Sequence, residues 1–114
     1  MRVISLSRVP SQSFNVVLSG RHCKLSLYWR QERLYLDLAV GAVSVCRGAV
    51  CQNRTGILQS PSRDFAGSLH FFDMEGDSPP RWDRLHTGGP LTPEGRWVLV
   101  HVEEGEEVPA RLRF

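Results

Sequence analysis

The densest group of reactive side chains in the sequence is a set of carboxylates: Asp73, Glu75, Asp77 and Asp83. Such a group binds calcium when its oxygen ligands fall at fixed spacing and a bidentate glutamate closes the loop. The order Asp-Met-Glu-Gly-Asp lacks that spacing, and two prolines follow where further ligands are needed. We therefore predict a solvated turn that closes a strand, with aspartate and glycine supplying the turn geometry.

The three cysteines, Cys23, Cys46 and Cys51, are the next candidates for chemistry. A zinc site needs a fourth ligand, for which His22 is the nearest residue, and the sequence has no CxxC spacing. We predict no metal site and expect thiols that are buried or half-buried in a reducing compartment. A disulfide between Cys46 and Cys51 across a hairpin stays open as an alternative.

The four histidines, His22, His70, His86 and His101, are scattered along the chain. No Gly-x-Ser-x-Gly elbow and no phosphate-binding loop accompanies them. We expect His70 and His101 to face the less apolar side of their strands. The sequence therefore predicts no catalytic residues and no cofactor-binding residues, and we expect the protein not to be an enzyme.

One long irregular segment, Met74 to Gly95, is rich in proline and glycine. Structureless loops of this length are uncommon in compact domains and are usually functional. The segment nevertheless carries two arginines, a tryptophan and two leucines, and tryptophan and arginine are the favoured anchors of protein interfaces. We predict an interface element that is kept out of the sheet by its prolines and glycines, mobile in the isolated protein and ordered in an assembly. Its expected contact residues are Arg81, Trp82, Arg84 and Leu85.

The elements that position these residues are β-strands. Residues 33–40 place leucine or valine at every second position, and residues 23–29 and 98–102 repeat the alternation. Successive side chains of a strand point to opposite faces, so each run builds one apolar face. The residues predicted to line the core are Leu25, Leu27, Leu34, Leu36 and Leu38.

The fold class follows from these strands. Period-two alternation with frequent turn signals predicts an all-β fold, a small antiparallel barrel or sandwich of seven to eight strands with one long Pro/Gly-rich loop. The length of 114 residues predicts a single β domain over residues 1–114.

Composition narrows the classes of partner. The net charge of +2 gives no electrostatic case for sequence-specific nucleic-acid binding. No apolar run approaches the ~20 residues that a membrane helix needs, and the N-terminus is too polar for a signal peptide. We expect a protein made in a cytoplasm or packed into an assembly there.

Several stretches together resemble one known family. The chain is similar to the small baseplate plug proteins of contractile-tailed bacteriophages, of the type found in a cyanophage baseplate. The similar stretches are residues 1–6 and 9–14, the hairpin of residues 25–45, the segment LHFFDMEGDSPP at 69–80 and the strand RWVLV at 96–100. Residues 86–95 are longer and richer in proline than the family pattern, which affects the loop contacts but not the fold.

The resemblance implies a virion structural protein, a plug or hub component near the tail-tube axis that bridges tube and spike proteins. It also implies hub, spike and tube proteins as partners, a homo-oligomer with three-fold favoured over six-fold symmetry, and assembly of the tail baseplate in the host cytoplasm. The alternative is a cellular β-barrel module that binds a peptide or small ligand. A small enzyme is a third option, which needs a pocket with convergent polar groups.

Overall fold

A computed structural model describes residues 2–53, 56–57, 65, 67–87 and 95–103. Within these ranges the regular structure is strand, apart from one short 3-10 helix at Trp82–Arg84. No helix among them is long and apolar enough to cross a membrane. The strands are β1 (Arg2–Ile4), β2 (Ser11–Leu18), β3 (Arg21–Arg30), β4 (Arg33–Val40), β5 (Val43–Val50), β6 (Ser68–Asp73) and β7 (Trp97–Val102).

The first sheet is an antiparallel meander with the order β2-β3-β4-β5. Two-residue turns join its strands. The turn at Gln31 and Glu32 has positive φ at both residues, which is the geometry that matches the twist of a hairpin. Pairing is regular between β2 and β3 and between β3 and β4, whereas the β4–β5 ladder shifts register around Leu38.

The second sheet has the order β1-β7-β6 and is also antiparallel. Its central strand, β7, is buried at all six positions. Trp97 and Leu99 face the main core, while Val98, Val100 and Val102 point to the opposite face and form a second buried cluster with Phe72. Both faces of this sheet are therefore covered, which a single alternating pattern in the sequence does not reveal.

The main core lies between the two sheets and confirms the predicted register. All five leucines predicted to line it are at most 1% exposed, and they belong to the same core cluster as residues of β1, β6 and β7. The seven strands in the described residues form two separate sheets, so the fold is sandwich-like and is not a closed barrel.

Candidate functional site

The four residues predicted as an interface lie in the 3-10 helix or directly next to it. Arg81 directly precedes it, and its side chain is 64% exposed. The Arg81 guanidinium lies 5.9 Å from the centre of the Trp29 ring, and Arg81 Nε is 3.6 Å from the carboxylate of Asp83. Trp82 is half-buried and packs against the edge of the main core. Arg81 and Trp82 thus lie next to one another at the surface, one open to solvent and the other partly anchored.

Arg84 and Leu85 are placed differently. Arg84 forms an ion pair with Glu75 within the same segment. Leu85 is 0% exposed and belongs to the main core. Its backbone forms a parallel bridge with Trp97, and its carbonyl oxygen accepts a hydrogen bond from Arg8 Nε at 2.9 Å.

These contacts correct two expectations about the segment. Its prolines and glycines do not keep all of it out of the sheet, because residues 84–86 extend the sheet beside the start of β7 through backbone hydrogen bonds to Arg96 and Trp97. Leu85 is already used inside the chain and is not available to a partner in this conformation. Residues 88–94 of the predicted loop lie outside the described residues.

A buried ion pair holds the segment in place. Arg96 donates two hydrogen bonds of 2.7 Å to the two carboxylate oxygens of Asp73, whose side chain is 0% exposed. Asp73 also accepts hydrogen bonds of 2.9 Å from the backbone amides of Glu75 and Ser78. Burial alone raises the pKa of Asp73, but the hydrogen bonds from Arg96 and the amides outweigh it and lower the pKa to about 2.

Asn53 extends this network to a second part of the chain. Its side-chain oxygen accepts a 2.7 Å hydrogen bond from the backbone amide of Asp73, and its amide nitrogen donates a 2.6 Å bond to Asp77. The predicted turn is therefore present, but Asp73 is not solvated as expected. Sequence reasoning missed this site because Asp73 and Arg96 are 23 residues apart.

A groove of about 740 Å³ opens beside this network. Its walls include Trp29, Pro80 and three arginines: Arg33, Arg81 and Arg96. Arg33 Nε is buried and has no hydrogen-bond partner among the described residues. Because a buried donor without an acceptor is unfavourable, this nitrogen is suited to an acceptor supplied from outside the chain.

The other candidates for chemistry are dispersed. Among the described residues no group of three histidine, cysteine, aspartate or glutamate side chains is arranged to hold a metal ion. All three cysteines are free thiols, so no disulfide joins Cys46 and Cys51, and burial raises the pKa of each. Thiols with raised pKa values are poor nucleophiles and metal ligands.

The histidine predictions are partly wrong. His101 is 0% exposed on the main-core side of β7, with its ring 5.3 Å from the Phe65 ring. The two valines beside His101 suggested that the histidine faces away from the core. In the structure these valines point to the second cluster, so His101 points to the main core. His70 is half-buried and stacks on Phe72 on that second face, 2.7 Å from Ser68 Oγ.

Comparison with known families decides the class of protein. The family model described as cyanophage baseplate Pam3 plug gp18 matches residues 1–103. The chain belongs to the cyanophage baseplate plug family. The protein is thus a structural component of a bacteriophage tail baseplate, where it contacts other baseplate proteins. All residues of the predicted interface lie inside the part of the chain matched by the baseplate plug family. No curated protein matches the sequence.

Proposed function

We propose that the protein is a plug or hub component near the axis of the tail tube, that it bridges tube and spike proteins without catalysing a reaction, and that it assembles in the host cytoplasm. The baseplate plug family supports this role over a cellular binding module. The observation that carries the proposal is the Arg81 surface, which consists of Trp29 and Arg81 at the mouth of the arginine-lined groove and of Trp82 next to Arg81.

The chemistry of this surface suits a protein partner. The Arg81 guanidinium lies over the Trp29 ring. A guanidinium is planar, binds carboxylates through two hydrogen bonds and is desolvated more readily than the ammonium group of lysine. Among the described residues, the only ion pair of Arg81 is a 3.6 Å contact with Asp83, in which both side chains are exposed. Because that pair contributes little to stability, Arg81 is free to pair with an acidic group of a neighbouring subunit. We further propose Trp82 as the apolar anchor of this contact and Arg84 as a flanking residue.

The test is complementation of a phage that lacks the gene with an Arg81→Glu variant. We expect the isolated variant to lose no more than about 1 kcal/mol of its free energy of unfolding, because the side chain is exposed and a cation–π contact at the surface contributes little. We expect infectious particles to fall at least about tenfold, since a desolvated charge pair is replaced by a repulsive one. The matched control is Arg47→Glu, which changes an exposed arginine on β5.

Trp82→Ala provides the second arm of this test. If particle assembly survives this change while the isolated protein loses thermal stability, Trp82 serves only as a cap of the main core, and the interface role of the segment is wrong. Normal assembly with both Arg81→Glu and Trp82→Ala rejects the proposed surface. Metabolic genes on both sides of the coding sequence, in place of tail genes, argue against the role of the whole protein.

A further inference from the structure

The outer edge of β2 carries a row of backbone groups, most of which no other described residue uses. The hydrogen bond from Trp29 N to Pro10 O, 2.8 Å long, fixes which residues of β2 point toward β3. Bonded and non-bonded pairs alternate along an antiparallel ladder, so Gln12, Phe14 and Val16 bond to β3. The amides and carbonyls of the alternate residues therefore point away from the sheet: Ser11, Ser13, Asn15 and Val17.

The contacts of Arg2 and Gln12 agree with this assignment. The guanidinium of Arg2 donates to the carbonyl oxygen of Val17 from across a groove of about 360 Å³ between β1 and β2. Gln12 uses its side chain to bond both backbone groups of Ser7. Among the described residues, no hydrogen bond reaches the outward backbone groups of Ser11, Ser13 or Asn15.

This edge lacks the features that protect free strands. Residues 11–18 contain no charged residue, no proline and no glycine, and their ladder with β3 is regular. Proteins usually protect exposed edges with charges, prolines or bulges, because an open edge is a template for another strand. The opposite edge of the same sheet has this protection, since β5 carries Arg47, a positive-φ Gly48 and two register shifts.

We propose that β2 adds a strand from a neighbouring baseplate protein, an extended and uncharged segment that lies in the groove between β1 and β2. Phe14 and Val16 are half-buried at the core side of this edge, so the segment presents apolar residues to them and small or polar residues to Ser13. The inference rests on the proposed function only for the source of the partner.

The size of the edge argues against a second copy of this chain as the occupant. An eight-residue strand is about 26 Å long, and the contact is one strand spacing of about 4.8 Å wide. Even with the side chains on either side of it, such a strip is a small contact beside the ~1,000 Å² of total buried surface expected of a stable dimer. A segment of a protein that is already bound to the baseplate through another contact has a high local concentration at this edge, and it can therefore bind through a small contact area.

The test compares Ser13→Pro with Ser13→Ala. Both variants lose the 2.8 Å hydrogen bond between the hydroxyls of Ser13 and Ser26, but only proline removes the outward amide. That amide makes no bond to β3, so we expect both isolated proteins to fold with similar midpoints of thermal unfolding. We expect about tenfold less Ser13→Pro than Ser13→Ala protein in purified virions, the factor expected for losing about one ladder hydrogen bond.

A second measurement uses the unaltered protein. Hydrogen exchange followed by mass spectrometry should show that the peptide covering β2 gains protection in intact virions over the isolated protein. Equal incorporation of the two folded variants, or unchanged exchange in virions, overturns the proposal. A dimer of the isolated protein that Ser13→Pro abolishes assigns the edge to a second copy and also overturns it. Absence of the wild-type protein from virions overturns the proposed function instead.

Discussion

At the scale of single residues, the paired Asp73 and Arg96 are the most consequential side chains in the described structure. They tie the end of β6 to the start of β7, and Trp97 adds a hydrogen bond of 3.1 Å from its ring nitrogen to the carbonyl of Ser78. The Arg96 guanidinium also lies 4.5 Å from the centre of the Trp97 ring. Arg96 also lines the groove beside the Arg81 surface. Loss of the ion pair should therefore affect assembly as well as stability.

We predict that Asp73→Asn lowers the free energy of unfolding at pH 7 by about 3 kcal/mol, because it leaves Arg96 without its charged partner. The pKa of Asp73 in the folded state, about 2, is below its ordinary value. A carboxylate with a lowered pKa stabilises the fold at pH values above its ordinary pKa, and that contribution is lost as the pH falls toward 2. Urea unfolding at pH 7, 4 and 2.5 should therefore show a smaller difference between wild type and variant as the pH falls.

The control for this prediction is Asp83→Asn. Its carboxylate is exposed in a 3.6 Å pair, so we expect a change of less than about 0.5 kcal/mol at any pH. If wild type and Asp73→Asn lose stability in parallel as the pH falls, the acid sensitivity belongs to another carboxylate.

At the scale of elements, the hairpin of β3 and β4 supplies much of the main core. Leu36 lies near the middle of β4, is 0% exposed and pairs with Leu27. We predict that Leu36→Ala lowers the free energy of unfolding by about 2–5 kcal/mol through lost burial and the cavity left behind. Denaturant unfolding measures it, with Val43→Ala, at an exposed position of β5, as the control. A loss well below 1 kcal/mol contradicts the register of the strand.

The start of β6 depends on a glycine. Gly67 has φ of +86°, and a Cβ there comes within 2.2 Å of the carbonyl oxygen of Val102. Gly20 in the β2–β3 turn has φ of +74° with nothing within 4 Å of its Cβ position. We predict a cost of about 1–2 kcal/mol for Gly20→Ala from backbone strain alone, and at least 1 kcal/mol more for Gly67→Ala from overpacking. Thermal unfolding of both variants compares them, and equal losses contradict the close approach of β6 to β7.

At the scale of the whole molecule, its dimensions bear on the number of copies in the baseplate. The chain measures 35 × 31 × 24 Å. Six bodies of equal width in a ring leave a central opening as wide as one body, whereas three leave a much narrower gap. A plug at the tail axis is therefore better formed by three copies than by six.

We predict three copies of the protein per baseplate. A local reconstruction of the baseplate by electron cryomicroscopy should show three-fold density at the axis, with the Arg81 surface against another subunit. Quantitative mass spectrometry of purified virions is an independent check. Six or more copies per particle contradict the three-fold arrangement, although they leave the assignment to the baseplate plug family unaffected.

Sequence alone determined the features that depend on neighbours along the chain. The alternation at residues 33–40 predicted β4 with the same bounds as in the structure, and the leucines it assigned to the core are buried. These succeeded because the alternation of side chains is local and because one apolar face must be buried in any antiparallel sheet. The resemblance to baseplate plug proteins likewise needed only the order of residues, and the family match confirms it.

The tertiary structure decided what depends on contacts between distant segments. It paired Asp73 with Arg96 and buried Leu85 and His101. It also divided the strands into two sheets, which leaves the outer edge of β2 without a strand partner in the described part of the chain. No local pattern carries this information. Whether a carboxylate is solvated or an edge is covered depends on which segment the folded chain brings beside it. The packing of the whole core decides which segments become neighbours. Most buried polar groups must then form hydrogen bonds with the partners that this packing brings close.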